Sequence, residues 1–81
     1  MNKVLRFTAS WCQPCKTLAK RIESIDTQTE IDVIDIDEQD EKATEYNIRS
    51  VPTLVFLKDG KETKRMIGVQ SQKELEEWLN D

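Results

Sequence analysis

Histidine is missing from this 81-residue chain, which has only two cysteines, two glycines and two prolines. With no histidine and no second cysteine pair, a four-ligand structural zinc site within the chain is excluded. Cys12 and Cys15 stand too close together to close a long loop, so they brace no extended stretch of chain. Gly60 and Gly68 make no Gly-rich phosphate loop. No apolar run approaches the roughly eighteen residues needed to span a bilayer, so no membrane association is expected. Met1-Asn2-Lys3-Val4-Leu5-Arg6-Phe7 is not a signal peptide: Arg6 interrupts the apolar stretch and no small-residue cleavage site follows. A cytoplasmic, reducing setting is the expectation, and there a Cys-x-x-Cys is catalytic more often than structural. Twelve basic and sixteen acidic residues give a net charge of −4 with mixed signs, which suits a soluble protein and argues against nucleic acid as the main partner. Asp35-x-Asp37-x-Gln39 opens like a calcium loop, but Asp40 occupies its glycine position and Tyr46 its last, so no metal site is expected. Asp32 to Glu45, with seven acids against one lysine, reads as a solvated strand end and helix face, or as a bias toward basic partner surfaces.

What the chain does have is order. A single domain over residues 1–81 is expected, small and with little margin in its core, and no linker, repeat or low-complexity stretch divides it. Val4 to Thr8 reads as a strand. From Cys12 onward, Leu18, Ala19, Ile22 and Ile25 form a helical stripe, with Pro14 in the first turn where its missing N–H costs nothing. Ile31 to Ile36 reads as a second strand and Asp40 to Tyr46 as a short helix, with Asn47 a left-handed stop. Thr53 to Leu57 is the most apolar strand, Asp59-Gly60 signals a tight hairpin, and Lys61 to Ile67 returns. Ser71-Gln72-Lys73-Glu74 is a capping box, followed by Leu75, Trp78 and Leu79 on the buried face of a last helix. The predicted class is α/β, in the order β-α-β-α-β-β-α. The first strands are expected to be parallel across their helix, and the last pair antiparallel.

Trp11-Cys12-Gln13-Pro14-Cys15 lies at the seam between the first strand and the first helix. That spacing lets one sulfur attack a foreign disulfide and the other resolve the mixed disulfide. The chemistry calls for one exposed thiol and one sheltered thiol, and a helix start supplies that geometry. The alternative is an inert buried pair or a static disulfide.

With Trp11 to Lys16, Tyr46 to Thr53 (containing Val51-Pro52-Thr53), Asp59-Gly60 and Ile67-Gly68-Val69 in this order, the chain resembles the thioredoxin family over nearly its whole length. The family's leading strand and helix are missing, which leaves a minimal thioredoxin-like fold: a four-stranded mixed sheet flanked by three helices. The resemblance implies Cys12 as the attacking sulfur at the helix N-terminus, where unpaired N–H groups favour an anion. Such thiols have pKa values lowered to roughly 3.5–7.5, a range for which thioredoxin itself is a reference case. Cys15 is then the resolving thiol. Pro14 stiffens the helix start, and Gln13 stands where ordinary thioredoxins have Gly, either tuning the potential or facing solvent idly. Lys16 follows the second cysteine as in the family pattern and joins the candidates for redox tuning. Pro52 resembles the family's cis-proline. Trp11, Val51, Pro52, Gly68 and Val69 are implied to line a shallow apolar groove, the Val51 backbone pairing with an extended substrate. The plainer readings are a Pro52 that opens an edge strand and a Gly68 that merely bends.

Arg6 departs from the pattern. Thioredoxins usually carry a buried Asp there that helps deprotonate the resolving cysteine, and Val33 stands where many have the accompanying lysine. Arginine cannot act as a base. Arg6 is expected either to favour thiolate electrostatically or to snorkel through a face left open by the missing helix.

The function implied is a dithiol–disulfide oxidoreductase acting on disulfide-containing proteins, monomeric, with no cofactor beyond the Cys12–Cys15 pair. Its size makes glutaredoxin the near rival, with electron donation to ribonucleotide reductase a job open to either. Glutaredoxins usually carry Cys-Pro-aromatic-Cys and a Gly-rich glutathione contact, so a thioredoxin reductase is the favoured electron source. Two readings come from other classes: a Cu(I) carrier using two thiolates, and a non-catalytic binding module. The proline between the thiols and the Val51-Pro52-Thr53 motif weigh against the carrier.

Overall fold

The computed structural model describes residues 1–80. Seven elements follow one another: β1 (Asn2–Thr8), α1 (Gln13–Glu23), β2 (Glu30–Asp35), α2 (Asp40–Glu45), β3 (Thr53–Lys58), β4 (Lys61–Ile67) and α3 (Gln72–Asn80). They build one sheet in the order β2-β1-β3-β4, so β2 and β4 are its edges. β1 runs parallel to β2 and antiparallel to β3, while β3 and β4 form an antiparallel hairpin with an irregularity at Phe56/Leu57. This is the expected mixed α/β arrangement.

Alternation along β1 sorts the core into two layers. Val4 faces Leu18, Ile25, Leu54, Phe56, Leu75 and Leu79, between the sheet and helices α1 and α3. Leu5 and Phe7 face Ile34, Val55 and Leu57 on the other side, where Tyr46 and Ile48 near the end of α2 pack over them. β3 sits at the sheet centre with Thr53 to Leu57 all buried, which explains its unbroken apolar run.

Turn chemistry fixes the connections. Asp59 and Gly60 both have positive φ (53° and 85°), the backbone a two-residue primed hairpin requires. Asn47 ends α2 at φ 55°, as its short polar side chain permits. At the start of α3 the Ser71 Oγ accepts from the Glu74 N–H at 3.2 Å and donates to the Glu74 carboxylate at 3.0 Å. One arm of the expected box, from the Glu74 N–H to Ser71 Oγ, is thus present, and the Glu74 carboxylate takes the Ser71 hydroxyl in place of its backbone N–H.

Several boundaries differ from the sequence reading. β1 begins at Asn2, because Asn2 and Lys3 extend the ladder opposite Lys58 and Leu57. β2 ends at Asp35, and α2 at Glu45 with Tyr46 as its cap. Ile25 is buried but lies beyond α1, which stops at Glu23 with Ser24 as its C-cap. Side chains close that end: the Arg21 carbonyl accepts from Ser24 Oγ (3.0 Å) and from Gln72 Nε2 (3.0 Å). Trp78 is only partly buried. It stands edge-on to Phe56, with the Lys64 ammonium 4.9 Å from its ring centre. The indole therefore caps the margin of the core beneath a cation and does not fill the core's centre.

Candidate active site

The strand β1 delivers the chain through Ala9, Ser10 and Trp11 to the start of α1, and Cys12 is the N-cap residue of that helix. Cys12 and Cys15 are joined as a disulfide, with Cα atoms 5.3 Å apart. The Cys15 backbone N–H donates to Cys12 Sγ at 3.2 Å, so one of the helix's unpaired donors already points at the sulfur. No acid lies in the first turn of α1, and Lys20 and Arg21 lie in its last. The positive end of the helix is therefore free to stabilise negative charge on Cys12 when the bond is reduced.

Both sulfurs are sheltered. Cys12 is 4% exposed and Cys15 1%, in a cluster with Ala9 over which Ile36 and Val51 pack. The expectation of one exposed thiol is thus corrected: Cys12 is the less buried of the two but is largely covered. The covering residues come from the turn just after β2 and the loop before β3, far away in sequence. Facing Cys12 is the Val51–Pro52 loop, whose peptide bond is cis, with Val51 O 3.7 Å from Cys12 Sγ. In the disulfide there is no S–H to share across that gap. In the reduced thiol there is one.

The remaining candidates divide by position. Gln13, Pro14 and Lys16 are exposed on the first turn of α1. Trp11 is 67% exposed, and its Nε1 donates to the Asp37 carboxylate at 2.8 Å. Pro52 is buried, and its carbonyl accepts from the Gly68 N–H at 2.9 Å, which ties the end of β4 to the loop opposite the cysteines. Gly68 holds φ 85°, a conformation that favours glycine. Val69 packs, partly buried, against the α1–α3 core cluster.

Arg6 lies on β1 between Val33 and Leu54 in register, partly buried, and burial pushes its pKa below the ordinary arginine value. Sequence reasoning missed Ile36 and Ala9 beside the sulfurs, Asp37 beneath Trp11, and Ile67, a large apolar side chain 57% exposed next to Gly68. Ile67 carried a signal: it is the outward apolar residue on a strand where the inward Met66 serves the core. The Asp37 contact spans 26 residues of sequence and left none.

Comparison with known proteins follows the same outline. The thioredoxin family model matches residues 1–81. The thioredoxin of Rickettsia typhi is 37% identical over 81 residues, which covers 95% of this chain and 77% of that protein. The thioredoxin of Bacillus subtilis is 38% identical over 78 residues, covering 91% and 75%. Among solved structures, a mutant thioredoxin from Halobacterium salinarum superposes with a TM-score of 0.89 at 32% identity, covering 96% of this chain and 71% of that one. Fasciola hepatica thioredoxin gives 0.86 at 34% identity, covering 96% and 77%. Because likeness in sequence and in backbone extends over the stretch that carries both cysteines and the proline loop facing them, this chain belongs to the thioredoxin family of dithiol–disulfide oxidoreductases.

Proposed function

We propose that the 81 residues act as one domain, a monomeric cytoplasmic reductase of protein disulfides that is recharged by a thioredoxin reductase. The observation that carries this reading is the Cys12–Cys15 disulfide at the N-cap of α1, opposite the Val51–Pro52 loop. In the reduced protein the Cys12 thiolate attacks one sulfur of a substrate disulfide. A mixed disulfide forms and the other substrate sulfur leaves as a thiolate. The Cys15 thiolate then attacks Cys12 Sγ, the Cys12–Cys15 bond closes, and the second substrate thiolate departs. Two electrons pass to the substrate, whose two thiolates take up the protons given up by Cys12 and Cys15. The redox group is the disulfide itself.

Trp11, Val51, Pro52, Gly68 and Val69 are assigned to substrate contact, the Val51 backbone pairing with an extended segment. Ile67 joins them on the strength of its exposure. Gln13, Pro14 and Lys16 are assigned to tuning of the couple from the exposed helix start.

The test is trapping. Cys15→Ser is expected to accumulate a mixed disulfide with an oxidised protein substrate, visible as a reducible gel band. Cys12→Ser is expected to form none and to lose turnover by at least about a thousandfold, because no activated nucleophile remains. Trapping through Cys15 in the Cys12→Ser variant would reverse the two roles. Recharging of wild type by NADPH with thioredoxin reductase supports the proposed electron source, and recharging by glutathione alone overturns it in favour of glutaredoxin-like behaviour.

A further inference from the structure

One cation on the core side of the sheet has, among the described residues, no partner to neutralise it. Arg6 shares its face of β1 with Val4, and Val4 packs in the cluster that contains Leu18 of α1. From Val4 to Arg6 the strand advances about 7 Å toward its C-terminal end. From Leu18 back to Cys15 the helix retreats about 4.5 Å toward its N-terminus. Both steps lead to the same end of the molecule, because β1 runs through a short turn into α1. Arg6 therefore stands level with Cys15, between the Leu18 cluster on one side and the cluster of Ala9, Cys12 and Cys15 on the other.

Its surroundings are poor in countercharge. Leu54, 1% exposed, and Val33 flank it in the sheet. The buried residues of α1 are Cys15 and Leu18, and α3 presents Leu75 and Leu79 to this layer. The acid on the same face of β2 is Asp35, two residues beyond Val33, and its carboxylate is engaged with the Asp37 N–H at 2.8 Å. Lys64, another cation on this side of the sheet, donates to the Trp78 carbonyl at 2.8 Å, over the Phe56 and Trp78 rings. Among the described residues the Arg6 guanidinium has no hydrogen bond and no ion pair. A guanidinium does not lose its proton, so the charge stays.

We propose that Arg6 is a positioning residue for the resolving step: its fixed positive charge favours the thiolate of Cys15 in the reduced protein and in the mixed disulfide. Burial raises the pKa of a thiol such as Cys15, and an opposite charge nearby lowers it again. The proton leaves to water or to the departing thiolate, and the cation makes that loss easier without accepting the proton. This inference rests on the disulfide-exchange reading above.

The experiment uses reduced full-length protein, with the two macroscopic thiol pKa values followed by the Cβ chemical shifts of Cys12 and Cys15. Arg6→Met keeps an unbranched side chain on this apolar face and removes the charge, while Arg6→Lys keeps the charge. Arg6→Met is expected to raise the thiol pKa that follows Cys15 by about one unit, a tenfold loss of thiolate at fixed pH, with Arg6→Lys close to wild type. Since a more basic thiolate is also a better nucleophile, resolution of a preformed mixed disulfide at neutral pH should slow only about threefold. An unchanged pKa in Arg6→Met, or an equal rise in both variants, overturns the proposal and leaves Arg6 as packing. Absence of any reversible dithiol–disulfide couple in the wild type would instead overturn the disulfide-exchange reading itself.

Discussion

Trp11 and Asp37 show how a single contact shapes the rim of the site. A side chain as exposed as this indole would ordinarily sample several rotamers, yet its N–H is held by a carboxylate from the loop after β2. Removing that acceptor frees the ring without touching either sulfur. Asp37→Ala is expected to lower the tryptophan fluorescence anisotropy and to raise KM for a protein disulfide about threefold, with kcat nearly unchanged, a loss of about 0.7 kcal/mol. Asp37→Asn, which retains an acceptor oxygen, should recover most of the affinity. Equal anisotropy in wild type and Asp37→Ala would show that packing alone holds the ring. At this scale the sequence revealed residues whose role is local. Cys12 as cap and Pro14 in the first turn follow from their places at a strand–helix seam. The shelter over Cys12 did not follow, because Ile36 and Val51 reach it from distant parts of the chain.

Secondary elements are joined by a few side chains that cross between them. Arg65 on β4 donates from Nε and Nη2 to the Glu62 carboxylate at 2.6 and 2.9 Å, and from Nη2 to the Tyr46 carbonyl at 2.9 Å. That clasp ties the outer strand to the C-cap of α2, across the layer that holds Phe7 and Tyr46. Arg65→Met is expected to cost about 1–2 kcal/mol in urea unfolding at neutral pH. The Arg65 hydrogen bond holds the Glu62 carboxyl below the usual glutamate value. A carboxylate depressed on folding stabilises the fold above its unfolded pKa, about 4.3, and that contribution is lost as pH falls through the folded value. The stability gap between wild type and Arg65→Met should therefore narrow as the protein is acidified below about pH 4. A gap that stays constant with pH would assign the effect to the Tyr46 bond and to packing. Element identities were legible wherever chemistry is local: Asp59-Gly60, Asn47 and Ser71 each mark a turn or cap that forms where expected. The helical period around Ile25 misled, because α1 closes at Ser24 through Gln72, a residue 48 positions away.

On the scale of the whole molecule, the sheet is covered unequally: α1 and α3 pack on one face and the short α2 on the other. Its radius of gyration, 11.7 Å, is still what a tightly folded chain of this length gives, about 12 Å. The lateral margins are a different matter. β4 carries Lys61, Glu62, Lys64 and Arg65 along its edge, whereas β2 sets Ile31, Val33 and Ile34 among Glu30, Asp32 and Asp35 and leaves Val33 53% exposed. Unpaired strand margins template further strands, and acidic side chains keep such a margin single only while they are ionised. Near the isoelectric point, about pH 4.8, net repulsion between molecules vanishes. Light scattering should therefore pass through a maximum there, and Val33→Lys should suppress it by placing a charge on the margin. The acids of β2 thus stand as gatekeepers against self-templated fibre growth, and storage near the isoelectric point is the condition that puts them to the test.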